Sequence, residues 1–121
     1  MNCCWCTITT AQLEESIRFY TELVGLSVAR RFSPAPGMEI AFLKDANGFE
    51  VELLGRGAAG QADSPKEGIS LGFEVDSLEE AFAAAKRFGA GPFGSARVPG
   101  CSFFFVKDPN GVSVQFVQNE R

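Results

Sequence analysis

KDANGFEVELL at residues 44–54 and KDPNGVSVQFV at residues 107–117 are two copies of one motif in this chain. Each copy begins with a turn containing Asp, Asn and Gly. It continues with residues that alternate between apolar and polar, as in a strand with one buried face. The likeness extends upstream, where LEESI at residues 13–17 parallels LEEAF at residues 78–82. The sequence therefore predicts one supersecondary unit used twice, with a site enclosed between the two halves.

Each half of the chain has the pattern strand, helix, strand, strand, strand. The helices end at Gly25 and Gly89, and Ser77 with Glu80 forms a capping box at the start of the second helix. We expect helices at residues 12–24 and 78–88 and strands at residues 4–10, 26–32, 38–44, 49–54, 69–75, 96–98, 101–107 and 112–118. This order predicts the α+β class, with two tandem βαβββ modules forming curved mixed sheets around a concave trough.

The domain organisation follows from length and local composition. At 121 residues the chain has the size of a single domain. The modules are expected at residues 1–57 and 68–121. The connector at residues 58–67 is rich in small residues and has no hydrophobic periodicity. We therefore expect the two modules to form one domain together.

Alternation along the strands gives each sheet an apolar face, covered by the helix, and a face of mixed polarity, called here the mixed face. If the sheets curl, the mixed faces line a partly apolar trough with a few polar groups, as small-ligand sites do. The alternative is that they are the solvent-exposed faces of antiparallel sheets. The residues assigned to the mixed faces are Trp5, Thr7, Thr9, Glu50, Glu52, Ser70, Gly72, Glu74, Ser113 and Gln115.

Charge and hydropathy narrow the range of partners. The net charge is −4, and the 11 Lys and Arg residues are scattered rather than grouped into a stripe. The sequence therefore predicts neither nucleic-acid nor anionic-membrane binding, and a small molecule or a protein is the expected partner. No apolar run is long enough to cross a bilayer and no leader is evident, which predicts a cytoplasmic location.

The residue inventory also limits the chemistry. The chain contains no His, so a Ser-His-Asp relay, a Cys-His pair and a His-ligated metal centre are excluded. The four Cys residues are expected to be reduced thiols. Cys3 and Cys6 have C-x-x-C spacing, but a zinc site there lacks a second pair of ligands. Redox or metal chemistry at this pair is the alternative to buried thiols.

Residues 9–26, TTAQLEESIRFYTELVGL, resemble the opening helix of the vicinal oxygen chelate superfamily, which includes glyoxalase I, bleomycin-resistance proteins and extradiol dioxygenases. The pattern L-x-x-S-x-x-F-Y-x-x-x-x-G-L carries this resemblance. KDPNG at residues 107–111 resembles the D-P-x-G turn of the same superfamily. The resemblance covers both halves, and it implies two βαβββ modules forming an open trough, often within a homodimer.

The resemblance also implies where a divalent metal would bind. Family enzymes hold the metal through side chains on the first and last strands of each module, usually His, Glu, His and Glu. The matching positions in this chain are Trp5, Glu52, Ser70 and Gln115. An indole offers no lone pair, and a Ser hydroxyl is a poor ligand for zinc or nickel. We therefore expect no metal cofactor.

Trp5 in a ligand position would fill the metal space and give a flat wall for stacking, or it would simply fill the core. Glu50, Glu52 and Glu74 on the same faces favour a basic guest. Glu52 has two possible roles. It would act as a general base next to a substrate carbonyl, or it would accept a hydrogen bond from Gln115 or from the Trp5 indole and do no chemistry.

The preferred hypothesis is a metal-independent protein that sequesters a hydrophobic or basic small molecule in the trough. The alternative is a glyoxalase-like lyase or isomerase, or a dioxygenase relative, that uses Glu52 as base or metal ligand. A third hypothesis is a partner-binding module whose trough is filled by Phe side chains. The expected ligand-binding residues are Trp5, Thr7, Glu50, Glu52, Ser70, Glu74, Phe103, Phe105 and Gln115.

Overall fold

Each half of the chain folds into a four-stranded mixed sheet with a helix packed on one face. The computed structural model describes residues 1–56 and 66–120. It divides the chain into two units, Met1–Ser64 and Pro65–Arg121. Most of the predicted connector, residues 58–67, lies outside the described residues. The predicted module boundaries and the trough shared by the modules stay predictions.

The first unit has the predicted order of elements. Its strand order is β1-β4-β3-β2, with β1 parallel to β4 and the other pairs antiparallel. Its elements are β1 (Trp5–Thr10), α1 (Leu13–Arg18), a π-helical turn (Phe19–Leu23), β2 (Ser27–Phe32), β3 (Glu39–Lys44) and β4 (Glu50–Gly55).

The predicted helix at residues 12–24 is therefore an α-helix that widens into a π-helical turn. In this turn the Val24 N–H donates to the Phe19 carbonyl, five residues back, at 3.2 Å. Phe19 and Tyr20 are both buried, and their rings meet edge to face at 4.9 Å. The π-helical turn is a feature that the structure adds, because the sequence pattern predicts one regular helix over these residues.

The second unit repeats the topology, with strand order β5-β8-β7-β6 and β5 parallel to β8. Its elements are β5 (Ser70–Glu74), α2 (Leu78–Phe88), β6 (Phe93–Val98), β7 (Cys101–Lys107) and β8 (Ser113–Asn119). The α+β class and the two tandem βαβββ modules are thus confirmed.

Strand β6 corrects one sequence expectation, because it begins at Phe93 rather than at Ala96. Phe93 pairs with Phe105 on β7, and the register shifts before Ala96 pairs with Phe103. This register shift lets the strand continue through Gly94, in a stretch that the sequence predicts to be a loop.

The repeated motif forms the same hydrogen-bonded turn in both units. Asp45 Oδ1 accepts the backbone N–H groups of Asn47 at 2.8 Å and Phe49 at 3.0 Å. Asp108 Oδ1 accepts those of Asn110 and Val112, both at 2.8 Å. A Gly in each turn adopts a positive φ, which residues with a Cβ rarely do.

Burial alternates along the strands that follow these turns. Val51 and Leu53 on β4 are fully buried, and so are Val114 and Phe116 on β8, while the residues between them are half-buried. On β4 and β8 the predicted apolar faces are therefore the packed ones, whereas Ile69, predicted to lie under a helix, is 70% exposed. Within residues 1–56 and 66–120, no helix is long and apolar enough to cross a membrane.

The cap of α2 gives a first prediction. The Ser77 side chain accepts the Glu80 N–H at 3.2 Å. Ser77→Ala is expected to lower the free energy of unfolding by about 1 kcal/mol, because a helix N–H loses its acceptor. Urea denaturation measures this loss. Ser95→Ala, at an exposed position on β6, is the matched control. Equal stability of the two variants would contradict the capping role.

Arg31 on β2 joins the sheet to α1 and gives a second prediction. Its guanidinium donates to Glu14 at 2.7 Å and to Glu39 at 2.7 Å. The hydrogen bond from Arg31, together with its charge, lowers the pKa of Glu14 although partial burial opposes this shift. A lowered pKa stabilises the folded state at pH values above the ordinary pKa of a Glu side chain. This contribution to stability is lost as the pH falls through the lowered pKa.

The stability difference between the wild type and Arg31→Gln should therefore be constant above pH about 5 and shrink as the pH falls below about 4. Because both groups are exposed to solvent, we expect a difference below about 1 kcal/mol. Urea denaturation across this pH range is the measurement. Arg87→Gln, which removes the same charge from α2, should show no such dependence. A difference that grows in acid would disprove the assignment.

Candidate functional site

The mixed face of the first unit is organised around one row of paired residues. Thr7 on β1 lies opposite Glu52 on β4, Glu52 opposite Phe42 on β3, and Phe42 opposite Arg30 on β2. Paired residues project to the same side of a sheet. The strand pairing therefore places a hydroxyl, a carboxylate, a phenyl ring and a guanidinium side by side.

Three rings on this face form the first aromatic cluster, Trp5, Phe32 and Phe42. Trp5 meets Phe42 edge to face at 5.4 Å, and Phe32 stacks on Phe42 at 6.3 Å. Phe42 is 4% exposed, whereas Trp5 is 46% and Phe32 42% exposed. The cluster thus has a buried centre and two open rings within its unit, which is more exposure than simple core filling by Trp5 predicts.

Arg30 lies over this cluster. Its guanidinium carbon is 4.1 Å from the centre of the Phe42 ring, within the range of a cation–π contact. Across residues 1–56 and 66–120, Arg30 makes no ion pair with a carboxylate. The contact with the ring leaves its N–H donors available.

Glu52 is half-buried, and it accepts a hydrogen bond from the Thr7 hydroxyl to Oε1 at 2.5 Å. The donor lies on the neighbouring strand of the same unit. Thr7 was expected to be a ligand-binding residue, and the structure shows that it is also the hydrogen-bond partner of Glu52. Glu50 shares this face and pairs in register with Lys44. The acidic groups of the first unit therefore have a polar or basic residue beside them.

The second unit carries a matching second aromatic cluster, Phe93, Phe103 and Phe105. Phe93 stacks on Phe105 at 5.8 Å, and Phe103 meets Phe105 edge to face at 5.7 Å. Lys107 Nζ lies 5.8 Å from the centre of the Phe93 ring and donates to the Ser113 hydroxyl at 2.8 Å. Aromatic rings accompanied by a cation are therefore a feature of both mixed faces.

The polar residues of the second unit also have partners. Asn119 Nδ2 donates to Glu74 at 2.7 Å. Gln115 lies opposite Gly72, and a Cβ placed on Gly72 would be 3.6 Å from Gln115 Oε1. Gly72 stands in the register position that Thr7 has in the first unit. Gln115 therefore has no hydroxyl on the β5 residue opposite it, whereas Glu52 receives one from Thr7.

The structure brings the predicted site residues together in two groups, one per unit. The first group is Trp5, Thr7, Glu50 and Glu52, and the second is Ser70, Glu74, Phe103, Phe105 and Gln115. Six further residues of the mixed faces were not among the predicted site residues, namely Arg30, Phe32, Phe42, Lys44, Phe93 and Lys107. Alternation along β3 signals Phe42 and Lys44. A register shift between Val28 and Arg30 changes the parity of β2, so alternation does not identify Arg30.

In the C-x-x-C pair Cys3 is exposed and Cys6 is half-buried, which corrects the expectation of buried thiols. Burial raises the pKa of the Cys6 thiol, and the nearby Cys3 raises it further. A raised pKa keeps the thiol protonated, and a protonated thiol is a poor nucleophile and metal ligand. All four Cys residues are free.

Each unit also has a surface cleft that contains none of the predicted site residues. A cleft of about 390 Å³ lies beside the start of α1 and includes Glu14 and Met38. A polar cleft of about 650 Å³ includes Arg97 and Gln118. Neither cleft contains an open aromatic ring from the two clusters.

The donor set at the four expected metal positions does not fit a divalent transition metal. In the first unit Trp5 offers no lone pair and its ring packs on Phe42, which leaves Glu52 as the ligand. In the second unit Ser70 is an exposed hydroxyl and Gln115 is a neutral amide. One carboxylate and one amide oxygen, with no imidazole, are a weaker donor set for zinc or nickel than the two His and two Glu residues usual in the family.

Comparison with solved structures shows the same fold in proteins of low sequence identity. A glyoxylase/bleomycin resistance protein/dioxygenase domain from Frankia sp. EAN1pec superposes with a TM-score of 0.81 at 17% identity, covering 99% of this chain and 98% of the other. The trypanothione-dependent glyoxalase I of Leishmania major gives 0.82 at 20% identity, covering 98% and 86%. TnmS3, an antibiotic binding protein from Streptomyces sp. CB03234, gives 0.78 at 16% identity, covering 99% and 97%.

The sequence comparisons give the family. No curated protein sequence gives a significant match. The sequence model of the Glyoxalase/Bleomycin resistance protein/Dioxygenase superfamily, in contrast, matches residues 4–116, nearly the whole chain. With the repeated βαβββ topology, this match shows that the chain belongs to the Glyoxalase/Bleomycin resistance protein/Dioxygenase superfamily.

Proposed function

We propose that this protein binds a planar, largely apolar small molecule without a metal ion, and that it acts by sequestering that molecule. The observation that carries the proposal is the first aromatic cluster. Trp5 stands at a family metal position and presents a partly open ring held in place by Phe42. A planar ligand that covers this ring gains stacking and removes apolar surface from water.

The relatives of known structure are compatible with this role. TnmS3, an antibiotic binding protein, has the same fold as this chain, which supports a small-molecule binding function for the scaffold. The glyoxalase I of Leishmania major has the fold as well. The donor set favours the first kind of role, because Trp5 and Ser70 replace the imidazoles that a metal enzyme of this family would use.

Stacking on Trp5 predicts a measurable loss of affinity when the ring is removed. Naphthalenemethanol, a neutral planar probe, should bind the wild type, and Trp5→Leu should weaken that binding by about tenfold. Isothermal titration calorimetry is the measurement. Ile69→Ala is the matched control, because Ile69 is an exposed apolar residue just before β5 and should leave the affinity unchanged.

Metal independence is tested in the same experiment. Dialysis against a chelator should change the affinity by less than about twofold, since no ligand contact passes through a cation. Elemental analysis of the purified protein should find no stoichiometric transition metal. A stoichiometric metal, or loss of probe binding after chelation, would overturn the proposal.

A second candidate function is proton abstraction next to a carbonyl with Glu52 as the base. The hydrogen bond from Thr7 favours it, because the bond orients the carboxylate and occupies only Oε1. The described mixed face of the first unit, however, offers an oxyanion only Arg30 and Lys44 as cationic support.

Exchange of the α-protons of acetophenone in deuterated water, followed by NMR, separates the two functions. The binding proposal predicts exchange at the buffer rate in the wild type and in Glu52→Gln alike. An enzyme of the second kind would exchange faster and lose about a hundredfold or more of that rate in Glu52→Gln. Glu79→Gln, on the exposed surface of α2, is the matched control for loss of one negative charge.

The homodimer and the cytoplasmic location stay predictions.

A further inference from the structure

Two adjacent arginines on β2 have different environments. Arg31 projects toward α1, and its N–H groups are used by Glu14 and Glu39. Arg30 projects to the opposite, mixed face, and the structure gives its guanidinium a contact with the Phe42 ring. No carboxylate among the described residues forms an ion pair with Arg30. The mixed face of the first unit thus holds a positioned cation with unused donors.

The charge balance of the mixed faces differs from the sequence expectation. Three carboxylates on these faces led to the hypothesis of a basic guest. The structure adds a polar partner for two of them, Thr7 for Glu52 and Asn119 for Glu74. It also places Lys44 in register opposite Glu50. Glu52 and Glu74 therefore each have a hydrogen-bond donor within their own unit, whereas Arg30 has no ion-pair partner among the described residues.

The geometry of the contact leaves Arg30 suited to an anion. A guanidinium carries five N–H donors in its plane, and a cation–π contact uses the face of the aromatic ring without consuming those donors. Carboxylates accept such donors in pairs. Phe42 contacts Trp5 on one side and Phe32 on the other. Both open rings and Arg30 therefore contact the same ring, Phe42, which places the cation and the stacking surfaces in one cluster.

We propose that the ligand is an aromatic anion, a planar ring system bearing a carboxylate or similar group, whose charge is bound by Arg30 while the ring lies against the first aromatic cluster. This inference rests on the proposed small-molecule binding and names the chemical class of the ligand. Arg30 acts as a specificity residue, because it distinguishes an anionic ligand from a neutral or cationic one of the same shape.

The test compares three probes that share one ring system and one substitution position, namely naphthoate, naphthalenemethanol and naphthylmethylammonium. By titration calorimetry, naphthoate should bind the wild type about fivefold to tenfold more tightly than the neutral alcohol, as expected for one partly exposed charge pair. The ammonium compound should bind most weakly. Raising the salt from about 20 mM to about 300 mM should weaken naphthoate binding and leave the alcohol unchanged.

Variants at Arg30 assign the effect to this side chain. Arg30→Gln should remove the preference for naphthoate, so that the acid and the alcohol bind within about twofold of each other. Arg30→Lys should keep part of the preference, because it keeps the charge and loses the paired donors. Arg87→Gln, on the exposed surface of α2, removes the same charge and should leave the preference intact.

The outcomes separate this inference from the function on which it rests. If the alcohol binds and depends on Trp5 but naphthoate binds no better, or if Arg30→Gln keeps the preference, the aromatic-anion assignment is overturned and small-molecule binding stands. Tightest binding of the ammonium compound would also overturn the aromatic-anion assignment and leave small-molecule binding in place. If none of the probes binds, both proposals fail together. An unchanged preference in Arg30→Lys would support binding of the anion by the charge at this position and would overturn the contribution of the paired donors.

Discussion

The register of the central strand pairs depends on the hydrogen bonds that Asp45 and Asp108 accept in the two turns. Each carboxylate binds two backbone N–H groups at the entrance of a strand, so the first paired residue of β4 or β8 is held at a set distance from the end of β3 or β7. A slip of one residue would turn Glu52 toward the helix and Val51 toward the mixed face. The burial of Val51 and Val114 strongly disfavours that alternative, and the turns and the packing therefore select the same register.

This register decides what each module can bind. In the first unit it aligns a hydroxyl, a carboxylate, a ring and a guanidinium across four strands. In the second it aligns a glycine, an amide and two rings. The two rows occupy equivalent positions, but their chemistry differs. In the first unit the carboxylate accepts a hydrogen bond from the hydroxyl, whereas in the second a neutral amide lies opposite a glycine. The aromatic rings and their cations are the element that both units share.

Family membership and ligand chemistry rest on different parts of the chain. The helix motif, the turns and the alternating strands identify the superfamily, and they serve the packing of the modules. At the positions where the resemblance places the family's His, Glu, His and Glu ligands, this chain has Trp5, Glu52, Ser70 and Gln115, so Glu52 alone keeps the usual residue. The strand that contributes Arg30 lies at the edge of its sheet and has exposed residues throughout. Because edge residues are less constrained by packing, they are free to carry the specificity for a ligand.

The sequence by itself determined the repeated modules, the turns, the buried faces and the family, because these features depend on local hydrogen bonds and on a strict period of two. It also placed Trp5, Thr7 and Glu52 on one face for the same reason. Only the tertiary structure decided the π-helical turn, the start of β6 and the position of Arg30. Each of these depends on packing or on a register shift that breaks the period. The partners of the acidic groups also required the fold, because Thr7 and Asn119 reach Glu52 and Glu74 from strands distant in sequence.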